Sequence, residues 1–108
     1  MNKGFWNGKT VLITGAHGFV GRNLVSYMSS LDCELLTPTR KELDLTCQKQ
    51  TSDFFSSKSI DVVIHLAGLV GGIAVNNSRL GDFFYQNAIV GINTLHYSYV
   101  SGVQKFVG

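Results

Sequence analysis

Apolar residues along this chain keep two alternating rhythms. Short unbroken runs, such as Val11-Leu12-Ile13 and Val62-Val63-Ile64, read as strands buried on both faces. Between them apolar residues recur at helical spacing, at Phe19, Val20, Leu24, Tyr27, Met28 and Leu31. The pattern predicts a first strand over Lys9 to Thr14 and a second over Glu34 to Thr37. Glu42-Leu43-Asp44-Leu45 predicts a brief third. Thr46 is placed to cap a helix from Cys47 to about Lys58, with Phe54 and Phe55 inward. Asp61 to Leu66 is the clearest strand, bounded by Ser59 and Gly68. A long helix follows from Asp82 to about Ser101, its apolar face formed by Phe83, Phe84, Ala88, Leu95 and Tyr99, with Gly102 placed as its C′ stop. Lys105-Phe106-Val107 begins another strand. Strands and helices alternating at this spacing imply an α/β domain: a doubly wound parallel sheet joined by helical crossovers and covered on both faces.

Composition narrows the function classes. The chain has 108 residues, enough for one domain, with 44% hydrophobic and 15% charged residues, a globular balance. A net charge of +2, with Lys41, Lys49, Lys58 and Lys105 scattered, gives no basic stripe for nucleic acid. Cys33 and Cys47 form no CxxC or Cys/His group, so reduced thiols in a cytoplasmic protein are expected and no metal site is. The opening residues lack the apolar run of a signal peptide, and no apolar stretch reaches the roughly 18 residues of a membrane span.

Three glycines stand between the first strand and the first helix, in Thr14-Gly15-Ala16-His17-Gly18-Phe19-Val20-Gly21. Gly15 allows the tight turn off the strand. Gly18, without a Cβ, lets a pyrophosphate approach the backbone. Gly21 lets the helix pack close to the sheet. Free N–H groups at the helix start then face the phosphates. A lone GxxGxxG is weak evidence. Inside a βαβ unit it predicts a Rossmann-type dinucleotide site; the alternative is a structural glycine turn. His17 reads as a loop side chain flanking the phosphates. Arg22 reads equally as a solvent-facing charge or a phosphate contact.

The choice of dinucleotide turns on the end of the second strand. An NAD site places an acid there to bond the ribose 2′-OH. Here the residues are Thr37-Pro38-Thr39-Arg40-Lys41, with Glu42 as the one complication. A guanidinium can grip a 2′-phosphate through two hydrogen bonds, so Arg40 predicts NADP(H); a merely solvated loop is the alternative. Asp44 is placed to accept from the adenine amino group and Leu45 to pack on the ring, although Asp44 serves equally as a turn-former. At the tip of the best strand, Ala67 and Gly68 are small enough for the nicotinamide-side ribose. His65 reads as packing at the strand end.

Thr14-Gly15-x-x-Gly18-x-x-Gly21, Arg40-Lys41-Glu42-Leu43-Asp44-Leu45 and His65-Leu66-Ala67-Gly68 together resemble the extended short-chain dehydrogenase/reductases that act on nucleotide sugars. Val70-Gly71-Gly72-Ile73-Ala74-Val75-Asn76-Asn77, with Asp82-Phe83 and Gln86-Asn87, is similar to the GDP-L-fucose synthases among them. The resemblance spans about Lys9 to Gly108. It implies an NADPH-dependent enzyme that epimerises C3 and C5 of GDP-4-keto-6-deoxymannose and reduces the C4 ketone. Cofactor contacts then fall on Gly15 to Gly21, Arg40 to Leu45, Ala67 and Gly68. Val70, Gly71 and Gly72 fall where cofactor and sugar meet, unless Gly71-Gly72 is only a turn. Asn87 is expected inward, bracing loop backbone. A homodimer is implied for the complete enzyme.

The same resemblance implies a catalytic Tyr-x-x-x-Lys and a Ser or Thr after the fifth strand. Tyr27, Tyr85, Tyr97 and Tyr99 are followed four residues on by Leu31, Ile89, Ser101 and Val103. The expectation is therefore the N-terminal part of a Rossmann domain, cut after the start of its fifth strand, with no substrate domain and no catalytic residue of its own. A fragment of another nucleotide-sugar epimerase or dehydratase and a non-catalytic NADP(H)-binding module are the rival readings.

Overall fold

The computed structural model of the chain describes residues 3–67 and 80–108. Among them the elements run α1 (Lys3–Trp6), β1 (Thr10–Thr14), α2 (Phe19–Met28), β2 (Glu34–Leu36), α3 (Gln48–Ser57), β3 (Val62–His65), α4 (Leu80–Val100) and β4 (Lys105–Val107). The strands form one sheet in the order β2-β1-β3-β4, and every pairing is parallel. No helix among the described residues is long and apolar enough to cross a membrane.

Strand alternation divides the core into two layers. Val11, Ile13, Val62 and Ile64 face one side and pack with Met28, Leu31 and Trp6, under α1 and α2. Leu12 and Val63 face the other and pack with Phe55 and Ile60, under α3 and α4. Apolar runs without polar interruption are what a sheet covered on both faces requires. The doubly wound α/β architecture is therefore present.

The expected strand at Glu42–Leu45 does not form. Its backbone donors are already engaged: the N–H groups of Glu42 and Leu43 bond the Thr39 carbonyl at 3.0 and 2.9 Å. Asp44 N–H donates to Gln50 Oε1 at 3.0 Å. Leu43 and Leu45 are buried all the same, so their apolarity reflects packing rather than sheet pairing. Lys105–Val107 is accordingly the fourth strand of the described sheet, not the fifth. Thr46 does not cap α3 either. Cys47 is the N-cap residue, with no side-chain bond, because the Thr46 hydroxyl donates to Asp44 Oδ1 instead, at 2.6 Å. Phe55 is buried as expected, while Phe54 is half-buried beneath the Lys58 ammonium, 5.1 Å from its ring centroid. Helix α1 was not legible in so short a segment, yet it brings Trp6 into the core.

The apolar face expected of helix α4 is largely uncovered, with Ala88 half-buried and the Phe83 side chain outside the described residues. Phe84, Leu95 and Tyr99 are exposed, while Thr94 and Ser98 are buried. Those hydroxyls are satisfied inside the helix, donating to the Val90 and Thr94 carbonyls at 2.7 and 2.6 Å, which makes burial of small polar residues tolerable. Gly102 ends α4 as expected. It has φ +82°, its N–H bonds Tyr99 O, and Val103 N–H bonds Ser98 O, a Schellman closure.

Candidate functional site

The chain leaves β1 through α2 to reach β2 on one side, then passes through α3 to reach β3 on the other. The C-terminal ends of β1 and β3 thus flank the point where strand order reverses, where open α/β sheets bind ligands. A cleft of about 490 Å³ opens there, lined by Thr14, the glycine loop, Pro38-Thr39-Arg40, Leu43, Leu45 and Leu66-Ala67. Three segments far apart in sequence, each a predicted site segment, therefore share one cleft.

The three glycines do different things. Gly15 has φ +69°, and a Cβ on it would stand 2.7 Å from Ala67 N and from Leu66 C. The turn thus needs glycine both for its dihedral and for its approach to the β3 tip. A Cβ on Gly21 would stand 2.6 Å from Ala16 Cα and 2.7 Å from Ala16 C. Gly21 therefore packs α2 against the loop backbone, closer at hand than the sheet. Gly18 is unlike either: it has φ −78°, and its Cβ would meet only Gly15 O, at 3.6 Å. Nothing among the described residues demands glycine there. Gly18 is also the N-cap of α2 with no side-chain cap bond, and the first turn carries no acid. Its positive end is left to the cleft. Ala16 packs into the core beneath the loop, while Phe19 and Val20 are exposed at the rim.

His17 is exposed and reaches from the loop to the end of β2, with Nε2 3.0 Å from the Thr37 carbonyl oxygen. Beyond Thr37 the chain makes one tight turn. Thr39 N–H donates to Glu42 Oε1 at 2.8 Å, and Glu42 N–H returns towards Thr39 Oγ1 at 3.3 Å, a capping-box arrangement. Hydrogen bonding to the Glu42 carboxyl from Thr39, its backbone N–H first and its side chain second, holds that carboxyl below its ordinary range. Glu42, the complication in the sequence, is thus spent on closing the turn that presents Arg40 to the cleft. Asp44 is bound by Thr46, through its hydroxyl at 2.6 Å and its N–H at 3.0 Å. The hydroxyl bond is the larger cause of its lowered pKa. Asp44 lies off the cleft lining, whereas Leu45 is on it.

Two residues to which the sequence reading gave no role of their own, Thr14 and Asn93, hold the backbone around the cleft. Thr14 Oγ1 accepts the N–H groups of Leu66 and Ala67, both at 3.1 Å, and lies 2.7 Å from His65 Nδ1. A hydroxyl has one proton and two lone pairs. With both lone pairs engaged, Thr14 donates to His65, so Nδ1 is the acceptor and the ring proton sits on Nε2. Burial pushes the His65 pKa down, in keeping with a neutral ring. His65 is thus a strand-end partner, as expected, while Thr14 pins the β3 tip. The signal for Thr14 was a polar residue closing an apolar strand. Asn93 of α4 donates to the Leu45 carbonyl at 2.9 Å. Asn87, expected inward, is exposed. Gly68, Val70, Gly71 and Gly72 lie outside the described residues.

The NAD dependent epimerase/dehydratase family matches residues 11–108. The chain is 37% identical over 101 residues to GDP-L-fucose synthase of Sinorhizobium fredii, covering 94% of this chain and 32% of that protein. It is 38% identical over 98 residues to GDP-L-fucose synthase of Escherichia coli, covering 90% and 30%. The solved structure of MlghC, a GDP-mannoheptose C4 reductase from Campylobacter jejuni with NADP bound, superposes with TM-score 0.87 at 30% identity. It covers 98% of this chain and 32% of that one. The chain thus spans about 30% of the length of the relatives it matches.

Proposed function

The chain belongs to the NAD dependent epimerase/dehydratase family, and on that premise we propose that it is the NADP(H)-binding portion of a GDP-sugar epimerase/reductase, its reaction the conversion of GDP-4-keto-6-deoxymannose to GDP-L-fucose. One observation carries the cofactor half of this reading: the glycine loop and Arg40 line the same cleft at the switch point. A dinucleotide fits the residues present. Gly18 leaves open a space that a side chain would fill, beside an uncapped helix start.

Each segment has a task in that reading. Gly15, Gly18 and Gly21 shape the loop, and backbone N–H groups from Gly18 to Gly21 receive the pyrophosphate. Arg40 takes the 2′-phosphate. Leu45 packs on the adenine; Asp44, bound by Thr46 just off the cleft lining, would meet the adenine amino group at its edge. Ala67 and Gly68 border the inner ribose, and Val70, Gly71 and Gly72 border the sugar. Once bound, the nicotinamide supplies the two-electron reduction of a ketone. This chain's residues bind and orient it, and the proton donor is expected outside residues 1–108. We read residues 1–108 as part of one Rossmann domain, inactive alone. A homodimer of the complete enzyme belongs to the same reading, and the free Cys33 and Cys47 suit a cytoplasmic setting.

The cofactor reading is tested at Arg40. NADPH is expected to bind the chain more tightly than NADH, and Arg40→Ala to erase most of the gap. A charge-assisted bond to the 2′-phosphate contributes about 1.5–3 kcal/mol, or roughly 10- to 100-fold in affinity. Equal affinity for the two cofactors in titration calorimetry of the unaltered chain would sink it. A second sugar substrate has support of its own. Two other structures that superpose at TM-score 0.87 are a GDP-6-OMe-4-keto-L-xylo-heptose reductase and a GDP-D-glycero-L-gluco-heptose synthase. A GDP-heptose therefore stands as the alternative substrate.

A further inference from the structure

Resting on the NADP(H) reading above, we propose that His65 is a positioning residue for the cofactor: by accepting the Thr14 proton it holds the tip of β3 in place beside the inner ribose, and a proton on its Nδ1 releases that tip. Three groups meet Thr14 Oγ1: the N–H of Leu66 at 3.1 Å, the N–H of Ala67 at 3.1 Å and His65 Nδ1 at 2.7 Å. The two N–H groups only donate, so they fill both lone pairs of the hydroxyl, and its single proton goes to the third partner. All three bonds hold together only while Nδ1 is a lone pair. Protonated, Nδ1 becomes a third donor facing an oxygen that accepts two. The displaced hydroxyl proton, on a buried side chain, then turns towards the two N–H groups and breaks their bonds. Leu66 falls back on the Thr14 carbonyl, also at 3.1 Å. Ala67, held by the hydroxyl, is released.

Ala67 lines the cleft, and the glycine loop leans on the same backbone, since a Cβ on Gly15 would stand 2.7 Å from Ala67 N. His65 therefore governs the cleft without lining it. Thr14 and His65 are register partners of β1 and β3 and share the sheet face of Leu12 and Val63, under α3 and α4. Phe106 of β4 covers the imidazole at 6.0 Å between ring centroids and offers it no acceptor. The charged groups of the surrounding elements lie elsewhere. β1 carries none. On β4, Lys105 pairs with Val62 at the opposite end of β3. On α3, Lys49 and Asp53 bind each other at 3.0 Å. On α4, Asp82, Tyr85, His96 and Tyr99 are exposed, and Tyr97 packs against the layer of Phe55. Burial is accordingly the cause that pushes the His65 pKa down. The assembled tip favours the neutral ring, so cofactor affinity is full above the histidine range and falls as pH drops through the lowered His65 pKa.

The experiment pairs NMR of the isotope-labelled, ligand-free chain with NADP⁺ titration calorimetry, from about pH 7.5 to about pH 5. In the unaltered chain the Ala67 amide should shift with the same midpoint as the His65 ring and exchange faster below it, while Val63 in mid-strand stays in place and reports an intact sheet. NADP⁺ affinity should fall about three- to tenfold over the same range, the worth of one backbone hydrogen bond. His65→Leu, with no acceptor for the Thr14 proton, should bind weakly at every pH. His65→Asn, whose Oδ1 accepts that proton and does not titrate, should restore most of the affinity and remove this acid loss. It also controls for the 2′-phosphate, which gains a proton at about pH 6. An Ala67 amide indifferent to the ring would overturn this inference, whether or not cofactor binds and whether or not the variants fold. Equal acid loss in His65→Asn and the unaltered chain would overturn it as well. An amide that follows the ring in a chain that binds NADP⁺ at no pH would overturn the cofactor reading, and the positioning role with it.

Discussion

Gly18→Val is expected to remove NADPH binding while leaving the fold intact. The backbone at Gly18 has φ −78° and ψ 179°, extended values that a β-branched residue adopts freely. Among the described residues its new Cβ would meet only Gly15 O, at 3.6 Å, an ordinary contact. Inside the protein the change costs no more than a less favoured N-cap, about 1 kcal/mol or below. The two γ-methyl groups then occupy the space before the first turn of α2, where the pyrophosphate is to lie against backbone N–H groups. Affinity should fall on the order of 100-fold, about 2.7 kcal/mol. Circular dichroism with a thermal melt, followed by a binding titration, separates the two effects. A variant that binds NADPH normally would remove Gly18 from the cofactor site, and one that unfolds would make it a structural glycine.

Gly21→Ala should do the reverse, damaging the fold before any ligand is added. Its Cβ would stand 2.6 Å from Ala16 Cα and 2.7 Å from Ala16 C, with Gly15 O nearer still. These are backbone atoms, so no rotamer change relieves the overlap. Moving the start of α2 outward would lift Leu24 and Val25 from the layer built on Val11, Ile13 and Met28. The expected loss is about 3 kcal/mol or more, the upper end for overpacking. In a domain this size that lowers Tm by about 12 °C or more. A melt within about 3 °C of the unaltered chain would show that the loop yields, and that the spacing of the three glycines does not record a packing limit.

That one motif holds two kinds of glycine explains what the sequence could and could not tell. Val11-Leu12-Ile13 and Val62-Val63-Ile64 were readable because burial on both faces leaves an unbroken apolar run. Gly102 was readable because a left-handed C′ residue favours glycine. Leu43 and Leu45 misled because buried leucines look alike in a strand and under a loop; only the hydrogen bonds of Thr39 and Gln50 distinguish them. The α4 helix misled for a related reason. Its buried face uses Thr94 and Ser98, whose hydroxyls bond within the helix, so hydropathy points to the wrong side. At the cleft, the glycine loop and Arg40 were legible as local spacing. Thr14 and Asn93 were not, because each acts on backbone about 50 residues away in sequence.

The measurement closest to the central claim is a backbone amide NMR map of the isotope-labelled chain titrated with NADPH. The account predicts that the perturbed amides form one group at the switch point: Gly15, Gly18 and Gly21 of the loop, Arg40 and Leu45 beyond β2, and Ala67 at the tip of β3. Amides of α3 and β4, remote from the cleft lining, should stay in place. A map centred on α3 and α4, or no perturbation at NADPH concentrations that saturate ordinary dinucleotide sites, would contradict it.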